Sequence, residues 1–272
     1  MSPVHQLAIF GATGRMGQSL IHALGETKRF ELCGAVASPQ SAGLGKSPFG
    51  AGAAALGADG SLVVTHEVER ALAGATVAID FSVPQAVGAN VSACAAARVP
   101  LLVGVTGMDE ATLGLLAQAA QHIAILVASN TSVGVNVVAK LAALAAQALG
   151  PNYDVEILES HHRMKRDAPS GTALSLGEAV ARARGMTLSA AAVYDRHAQS
   201  GPRTPGSIGF SVVRAGDIVG EHTVLFAGEG ERIEITHRAS DRLNFARGAL
   251  RAAEWLIGRR PGRYSIEDAL GL

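Results

Sequence analysis

Residues 6–17 read QLAIFGATGRMG, an apolar run that leads directly into a glycine-rich turn, and a helical pattern follows. Glycines at these positions suit a turn that is tight, that lets the backbone approach a pyrophosphate, and that packs a helix closely against a strand. The helix N-terminus would then offer N–H groups and a positive dipole end to phosphates. The run predicts a dinucleotide-binding turn, and the alternative is an ordinary glycine turn in an α/β domain.

The first half of the chain alternates short β-branched runs with alanine-rich segments of helical length, a pattern typical of βαβ units and a parallel sheet. Strands are predicted at Gln6–Phe10, Phe30–Val36, Val63–Thr65, Val77–Phe81, Leu101–Val103 and Ala124–Ala128. Helices are predicted at Arg15–Leu24, Glu67–Leu72, Gln85–Ala97 and Asp109–Ala120. The stretch Ser38–Ser61, rich in Gly, Ala, Ser and Pro, is predicted to be a long loop.

After about Asn130 the pattern changes to that of an α+β domain. A helix is predicted at Val133–Leu149, and strands are predicted at Tyr153–Glu159, Ile208–Arg214, His222–Ala227 and Arg232–Arg238. Turn residues between the second and third of these strands predict an antiparallel hairpin; they are Gly216, Asp217 and Gly220.

A closing helix is predicted at Asp241–Ile257, where apolar residues recur on one stripe and Gly258 is the expected C-cap. Such a helix could return to cover the first domain. The fold class expected for the whole chain is α/β: a Rossmann-like parallel-sheet domain joined to an α+β domain.

The composition excludes several classes of partner. The 272 residues include 23 Lys plus Arg and 23 Asp plus Glu, so no diffuse basic field attracts nucleic acid or anionic lipid. Cys33 and Cys94 are expected in the core rather than in a disulfide or zinc site. The N-terminus does not read as a signal peptide, and no run approaches the roughly 20 uninterrupted apolar residues of a membrane span. We therefore expect a soluble, cytoplasmic protein without nucleic-acid or membrane partners.

Two further loops are predicted at the carboxyl ends of strands, where open α/β sheets bind ligands. They are Gly104–Gly107 and Ala128–Ser132, whose small and hydroxylic residues would let a nicotinamide ring approach the backbone. Each is a generic turn when taken alone. The end of the second strand carries neither the acid that would bond ribose hydroxyls nor an Arg for a 2′-phosphate, because Ser38 and Pro39 stand there. Arg15 is the nearest basic group that could reach a phosphate. The alternative interpretation is that Arg15 is a solvated residue of the helix.

The segment from His161 to Thr172 contains a local excess of positive charge in a chain of zero net charge. Residues 161–166 read HHRMKR, with no acid among them, and Ser170 is the expected N-cap of a helix over Ala173–Ala183. Cationic groups and helix N–H groups in one place suit a small substrate with carboxylates, and His and Lys can transfer protons. The alternative is a solvated charged loop. A metal site is not expected, because adjacent His residues share no face and no carboxylate or Cys completes a ligand set.

Four stretches together resemble the 4-hydroxy-tetrahydrodipicolinate reductases of bacterial lysine and diaminopimelate synthesis. They are GATGRMG at 11–17, NTSVGVN at 130–136, ESHHRMKRDAPSGTA at 159–173 and VVRAGDIVGEH at 212–222, and the resemblance runs over essentially the whole chain. It implies a dinucleotide-binding domain over 1–131 and 240–272, and a substrate-binding and oligomerisation domain over 132–239. It also implies a homotetramer and the reduction, by NADH or NADPH, of a small cyclic dicarboxylate.

The resemblance implies specific roles for residues of this chain. His161 and Lys165 would transfer protons, and His162, Gly171 and Thr172 would hold the substrate carboxylates. The cofactor would be lined by Gly11, Ala12, Thr13, Gly14, Arg15, Met16, Gly104, Val105, Thr106, Ala128, Ser129, Asn130 and Thr131. Family members with a clear NAD site carry an acid where this chain has Ser38, so dual cofactor use or NADPH preference is expected.

Two other functions are open to the same residues. A non-catalytic nicotinamide-binding sensor would need the glycine turn but not the cationic cluster. A semialdehyde dehydrogenase would need a nucleophilic Cys near a loop, whereas Cys33 and Cys94 lie in apolar strand or helix patterns.

Overall fold

The computed structural model describes residues 3–50, 61–197 and 201–272, which form two compact units. The first unit contains the chain up to Ser132 together with Leu243–Gly271, and the second contains Val133–Arg242.

The first unit is built on a six-stranded sheet. Its strands are β1 (His5–Phe10), β2 (Phe30–Val36), β3 (Val77–Asp80), β4 (Leu101–Val103), β5 (Ala124–Val127) and β11 (Gly262–Tyr264). Its helices are α1 (Arg15–Leu24), α2 (Val68–Ala71), α3 (Pro84–Ala97), α4 (Glu110–Ala119), α8 (Leu243–Leu256) and α9 (Ile266–Leu270). The order β11-β5-β4-β3-β1-β2 is parallel throughout, which confirms the predicted Rossmann-like architecture.

Both faces of this sheet are covered, as a parallel sheet requires. Leu7 and Ile9 of β1 belong to one buried cluster, with residues of α1, α8 and α9. Ala8 and Phe10 belong to another, with residues of α2, α3 and α4. The chain leaves β1 for β2 on one side and returns to β3 on the other, so the strand order reverses beside β1. Ligands of open α/β sheets bind at the carboxyl ends of strands at such a reversal.

The closing helix is confirmed, and its buried residues include Ala246, Leu250 and Ala253 of the predicted stripe. Gly258 follows it with φ +76°, the left-handed conformation that commonly ends a helix. The short elements β11 and α9, which were not predicted, come next, and a capping box between Ser265 and Asp268 begins α9.

Two predictions in the first unit need correction or restriction. Val63–Thr65 is not a strand, because only Thr65 forms an isolated parallel bridge, with Val36. The predicted loop Ser38–Ser61 lies partly outside the described residues, and its described part contains no α-helix or strand. Of the cysteines, Cys94 is buried in the core, whereas Cys33 is only partly covered.

The second unit packs helices on a five-stranded mixed sheet. Its helices are α5 (Val133–Leu149), α6 (Gly171–Ala183) and α7 (Leu188–Ala191), and a 3₁₀ turn spans Gly150–Asn152. Its strands are β6 (Asp154–His161), β7 (Ala192–Val193), β8 (Ile208–Arg214), β9 (Gly220–Ala227) and β10 (Arg232–Ala239). The segment Val133–Asn152 is long and apolar enough to cross a membrane by length and composition alone. Val138, Ala142 and Ala146 of α5 nevertheless pack into the core of this unit.

The predicted hairpin between β8 and β9 is wrong. The order is β10-β9-β6-β8-β7, so β6 lies between the two, parallel to β8 and antiparallel to β9. Neighbouring strands are about 4.8 Å apart, so a connection over residues 215–219 is long enough to cross the end of one intervening strand. Ala215 N donates to His161 O (2.9 Å) at that end, and the antiparallel hairpin forms instead between β9 and β10.

Candidate active site

The glycine-rich turn is built by close backbone contacts. Gly11 has φ +78°, and a Cβ there would lie 2.5 Å from Phe81 O in the turn after β3. A Cβ at Gly17 would lie 2.3 Å from Gly11 O, so any larger residue would push α1 away from the strand. Gly14 is the N-cap of α1 and carries no side-chain cap. These three positions therefore meet the backbone demands of a dinucleotide-binding turn.

The other predicted cofactor loops leave the same edge of this sheet. Gly104–Thr106 follows β4, Ala128–Thr131 follows β5, and the strands are parallel. A Cβ at Gly104 would lie 2.1 Å from the Phe81 ring, so this glycine permits close packing. The Thr131 hydroxyl donates to Phe245 O (2.7 Å), which ties this loop to α8.

The turn after β3, which was not among the predicted site residues, contributes to this edge. Asp80 is fully buried and accepts from Ser82 N and from Asn90 Nδ2, each at 2.8 Å. Burial raises the pKa of the Asp80 carboxyl, against the hydrogen bonds from Ser82 and Asn90. These bonds fix the turn that contacts Gly11. The sequence signal for this turn was an Asp near the end of an otherwise apolar predicted strand.

The segment after β2 approaches the glycine-rich turn through hydroxyl groups. The Ser41 hydroxyl donates to Thr13 Oγ1 (3.2 Å), and Ser38 bonds the Gln40 side chain. Residues 38–46 contain no carboxylate. Arg15 is the first residue of α1 and is exposed.

In the second unit, Glu159 and His161 lie on the inner face of β6. Both are buried, and their positions continue the inward alternation of Val155 and Ile157. The distance from Glu159 Oε2 to His161 Nδ1 is 2.5 Å. Ser170 N donates to Glu159 Oε1 (3.0 Å), so the carboxylate also holds the start of α6.

Arg214 of β8 completes this arrangement. Its two terminal nitrogens donate to the two oxygens of Glu159, each at 2.8 Å, a bidentate charge-assisted pair. One of them also donates to Asp167 O (2.6 Å), which anchors the cationic segment. Burial opposes the charge on Glu159, but Arg214, His161 and Ser170 N–H outweigh it, so the pKa of this carboxyl lies below its usual value.

His222 of β9 lies opposite Glu159 in the antiparallel register. Its Nε2 is 3.0 Å from the Ser170 hydroxyl, which in turn accepts from Ala173 N as the confirmed N-cap of α6. Burial, followed by the nearby His161, lowers the pKa of His222 to about 4. Burial also lowers the pKa of His161, although Glu159 opposes that shift. Burial therefore favours the neutral form of both imidazoles.

The remaining predicted site residues of this unit lie around the same loop. Lys165 Nζ donates to both oxygens of Asp167 (2.9 Å), and the Lys165 side chain is 21% exposed. His162 is partly exposed, with its Nε2 3.4 Å from Arg242 Nη2. Gly171 is the first residue of α6, is exposed, and has open space where a Cβ would stand. Thr172 follows it. Of the predicted catalytic residues, His161 is linked to this helix start through Glu159, which accepts from Ser170 N.

The second unit does contain a carboxylate close to two histidines, contrary to one premise of the sequence-based prediction against a metal site. Glu159, His161 and His222 each offer a ligand atom, and these atoms lie within 4.8 Å of one another. The carboxylate oxygens are already bonded to Arg214, Ser170 N–H and His161. Arg214 would also repel a cation at this point. The prediction that this chain has no metal site stays a prediction.

Comparisons with known proteins agree over nearly the whole chain. Residues 5–131 match the family model for the N-terminus of dihydrodipicolinate reductase, and residues 134–270 match the model for its C-terminus. A 4-hydroxy-tetrahydrodipicolinate reductase of Alkalilimnicola ehrlichii is 52% identical, over 98% of this chain and 99% of its own. One of Thiobacillus denitrificans is 50% identical, over 98% of each chain.

A solved structure has a similar fold. The dipicolinate-bound dihydrodipicolinate reductase from Paenisporosarcina sp. TG-14 aligns with a TM-score of 0.77 and 24% identity, covering 97% of this chain and 98% of that one. With both family models matched in succession, the chain belongs to the dihydrodipicolinate reductase family.

Proposed function

We propose that this chain reduces 4-hydroxy-tetrahydrodipicolinate to tetrahydrodipicolinate and water with NADH or NADPH, a step of lysine and diaminopimelate synthesis. The observation that carries the proposal is the arrangement around the start of α6. There, His161 ends β6, and the loop that follows carries His162 and Lys165 and leads to Gly171 and Thr172 at the start of α6. A small cyclic dicarboxylate matches this combination of cations, helix N–H groups and proton donors.

The first unit fits a nicotinamide cofactor. Gly11–Met16 would hold the pyrophosphate, because Gly11 leaves no room for a side chain and the start of α1 at Gly14 and Arg15 is exposed. Gly104–Thr106 and Ala128–Thr131 would line the nicotinamide end. The cofactor, when bound, supplies a hydride.

The substrate carboxylates are assigned to His162, Gly171 and Thr172. Backbone N–H groups of a first helical turn have no partner within the helix and favour anions. Gly171 leaves this helix start uncovered, since nothing lies within 4 Å of the place of a Cβ.

Lys165 is assigned as the proton donor and His161 as its partner in proton transfer. Reduction of a conjugated imine leaves an electron-rich enamine that must take up a proton, and an ammonium beside an anionic ring can supply it. In this structure Asp167 pairs with Lys165, which keeps the ammonium at the loop. Burial favours the neutral form of His161, which can accept a proton.

The choice of cofactor is proposed to be NADPH or dual. Ser38 and Pro39 provide no acid for ribose hydroxyls, and exposed Arg15 at the start of α1 could pair with a 2′-phosphate. Initial rates with NADH and NADPH on freshly generated substrate test this assignment. Comparable rates would refute a strict preference, and a large NADH preference would contradict the proposal.

We also propose a cytoplasmic homotetramer that assembles through the second unit. One face of its sheet exposes Leu158 of β6 (41%) and Val213 of β8 (48%), and exposed apolar side chains on a sheet face favour association. Light scattering should give a mass four times that of the chain. A monomer at micromolar concentration would contradict this part of the proposal.

The assignment of Lys165 is tested by Lys165→Ala. We expect kcat to fall about 10²- to 10⁴-fold, the range of a lost general acid, while cofactor affinity stays near the wild-type value. Lys140→Ala, on an exposed position of α5, is the matched control and should keep full turnover.

Near-normal turnover of Lys165→Ala would show that another group donates the proton. Calorimetry separates the reductase from a non-catalytic sensor: pyridine-2,6-dicarboxylate should tighten the complex with NADPH. A sensor would bind NADPH without any effect of the dicarboxylate.

A further inference from the structure

The proposed mechanism leaves the most buried carboxylate of the second unit's site without a role. The Glu159 side chain is 0% exposed, although a buried carboxylate is costly unless it is fully paired. It sits between the Arg214 guanidinium and the His161 ring, and it also accepts from Ser170 N–H. Such an arrangement needs a reason beyond packing.

The contact between Glu159 and His161 decides where the imidazole carries its proton. An ionised carboxylate only accepts hydrogen bonds, so His161 Nδ1, 2.5 Å from Oε2, must be the protonated nitrogen. A neutral ring then has its lone pair on Nε2. Gly220 lies beside this nitrogen without a side chain to crowd it, because a Cβ there would lie only 3.0 Å from His161 Nε2.

Arg214 makes this choice of tautomer robust. With both guanidinium nitrogens on Glu159, the carboxylate stays ionised and cannot rotate away from His161 without breaking the pair. The same guanidinium donates to Asp167 O, so the orientation of the ring and the position of the Lys165 loop depend on one pair of side chains.

We propose that Glu159, held by Arg214, is a positioning residue that fixes His161 as the Nδ1–H tautomer, with Nε2 free to accept a proton in the reaction. This inference rests on the proposed reductase function. It assigns Glu159, which is fully buried and also holds the start of α6, a role in the reaction through His161 rather than through contact with substrate or cofactor.

The test is Glu159→Gln, which keeps the size of the side chain. Its single carbonyl oxygen would be taken by Ser170 N–H and Arg214, so the amide N–H₂ would face His161 Nδ1 and donate to it. The ring would then move its proton to Nε2. We expect ¹⁵N NMR of histidine-labelled protein at pH 7 to show His161 protonated on Nδ1 in the wild type and on Nε2 in the variant. Loss of signals in His161→Gln assigns the resonance among the 9 histidines.

Kinetics provide a second readout. We expect kcat of Glu159→Gln to fall about 10²- to 10⁴-fold, as when an amide replaces the carboxylate behind a catalytic histidine. The acidic limb of the kcat/KM profile should move to lower pH, because the carboxylate favours the imidazolium. The other charged or titratable groups that act on His161 are Lys165, Arg214 and His222, and all three remain in the variant.

Glu156→Gln is the matched control. Glu156 is on the same strand, pairs with Arg196 (2.6 Å) and Arg203, and faces away from His161 because its offset from Glu159 is odd. It should retain the wild-type tautomer and pH profile.

The proposal is overturned if wild-type His161 is protonated on Nε2, or if Glu159→Gln leaves both the tautomer and the pH profile unchanged. Thermal unfolding of the variant identifies a folding defect, and the NMR readout remains valid for any folded fraction. A wild-type protein with the expected tautomer but no turnover of the substrate would contradict the proposed function and leave only the assignment of the tautomer to Glu159 intact.

Discussion

The glycine-rich turn of the first unit and the cationic loop of the second are both suited to anions, but they are built differently. The turn is made of backbone, and its close backbone contacts are possible because Gly11 and Gly17 lack a Cβ. The site around the loop is made of side chains from several strands. Arg214 of β8 bonds Glu159 of β6, and His222 of β9 lies opposite Glu159 and bonds Ser170. A backbone site is sensitive to added volume, whereas a side-chain site is sensitive to removed charge and to pH.

Arg214→Met should disrupt the side-chain site, and we expect it to cause the largest loss of unfolding free energy. Glu159 would keep its buried position but lose its counter-charge, and breaking a buried ion pair from one side costs about 3–5 kcal/mol. Chemical denaturation measures the change in unfolding free energy. A double variant with Glu159→Gln should recover part of the loss, and a loss below about 1 kcal/mol would mean that the pair is not buried in solution.

Gly17→Ala should break the backbone site by a smaller amount. A Cβ would lie 2.3 Å from Gly11 O, and overpacking of this kind costs about 1–3 kcal/mol while displacing the turn from the cofactor. Gly114→Ala in α4 is the matched control, because nothing lies within 4 Å of its Cβ position.

The two alanine variants should differ in sign. Gly114→Ala should stabilise the protein by about 0.5–1 kcal/mol through helix propensity and leave NADPH affinity unchanged. Equal stability changes in the two helices would contradict the close contact at Gly17.

The smallest expected effect is the pH dependence of the unfolding free energy, which tests whether the side-chain site is sensitive to charge. The pKa of Glu159 is lowered in the folded state from an ordinary value of 4.5, so its contribution to stability is present above that value. The contribution is lost as pH falls through the folded pKa. We expect the difference in unfolding free energy between wild type and Glu159→Gln to be constant near neutrality and to shrink below about pH 4.5. A difference independent of pH would show that Glu159 is not ionised in the folded protein.

Local patterns predicted the first unit well. The bounds of α1 and β2 agree with those predicted because their patterns extend over 10 and 7 residues, and those of β4 agree because Pro100 and Gly104 flank it. The isolated bridge at Thr65 and the short elements β11 and α9 were missed or misassigned, since runs of three to five residues depend on their neighbours more than on their own sequence.

The second unit was harder for a physical reason. Gly216, with φ +48°, indicates a turn correctly, whereas Gly220 is already the first residue of β9. A turn also does not say which strands pair across it. Insertion of β6 between β8 and β9 depends on contacts between residues far apart in sequence. Glu159 was named only as the start of a motif, although the alternation of Val155 and Ile157 already directs it inward. The inward direction of His161 follows from β6 continuing two residues past the predicted end.

The sequence by itself determined the parallel-sheet domain, the glycine-rich turn, the cationic loop and the N-cap Ser170. These depend on hydrophobic period, on the absence of a Cβ and on hydrogen bonds between near neighbours. Only the tertiary structure decided that Glu159, Arg214 and His222 surround His161, because sheet register brings together side chains that lie more than fifty residues apart. The role of the buried Glu159 carboxylate can be inferred only once Arg214, the group that neutralises it, is known.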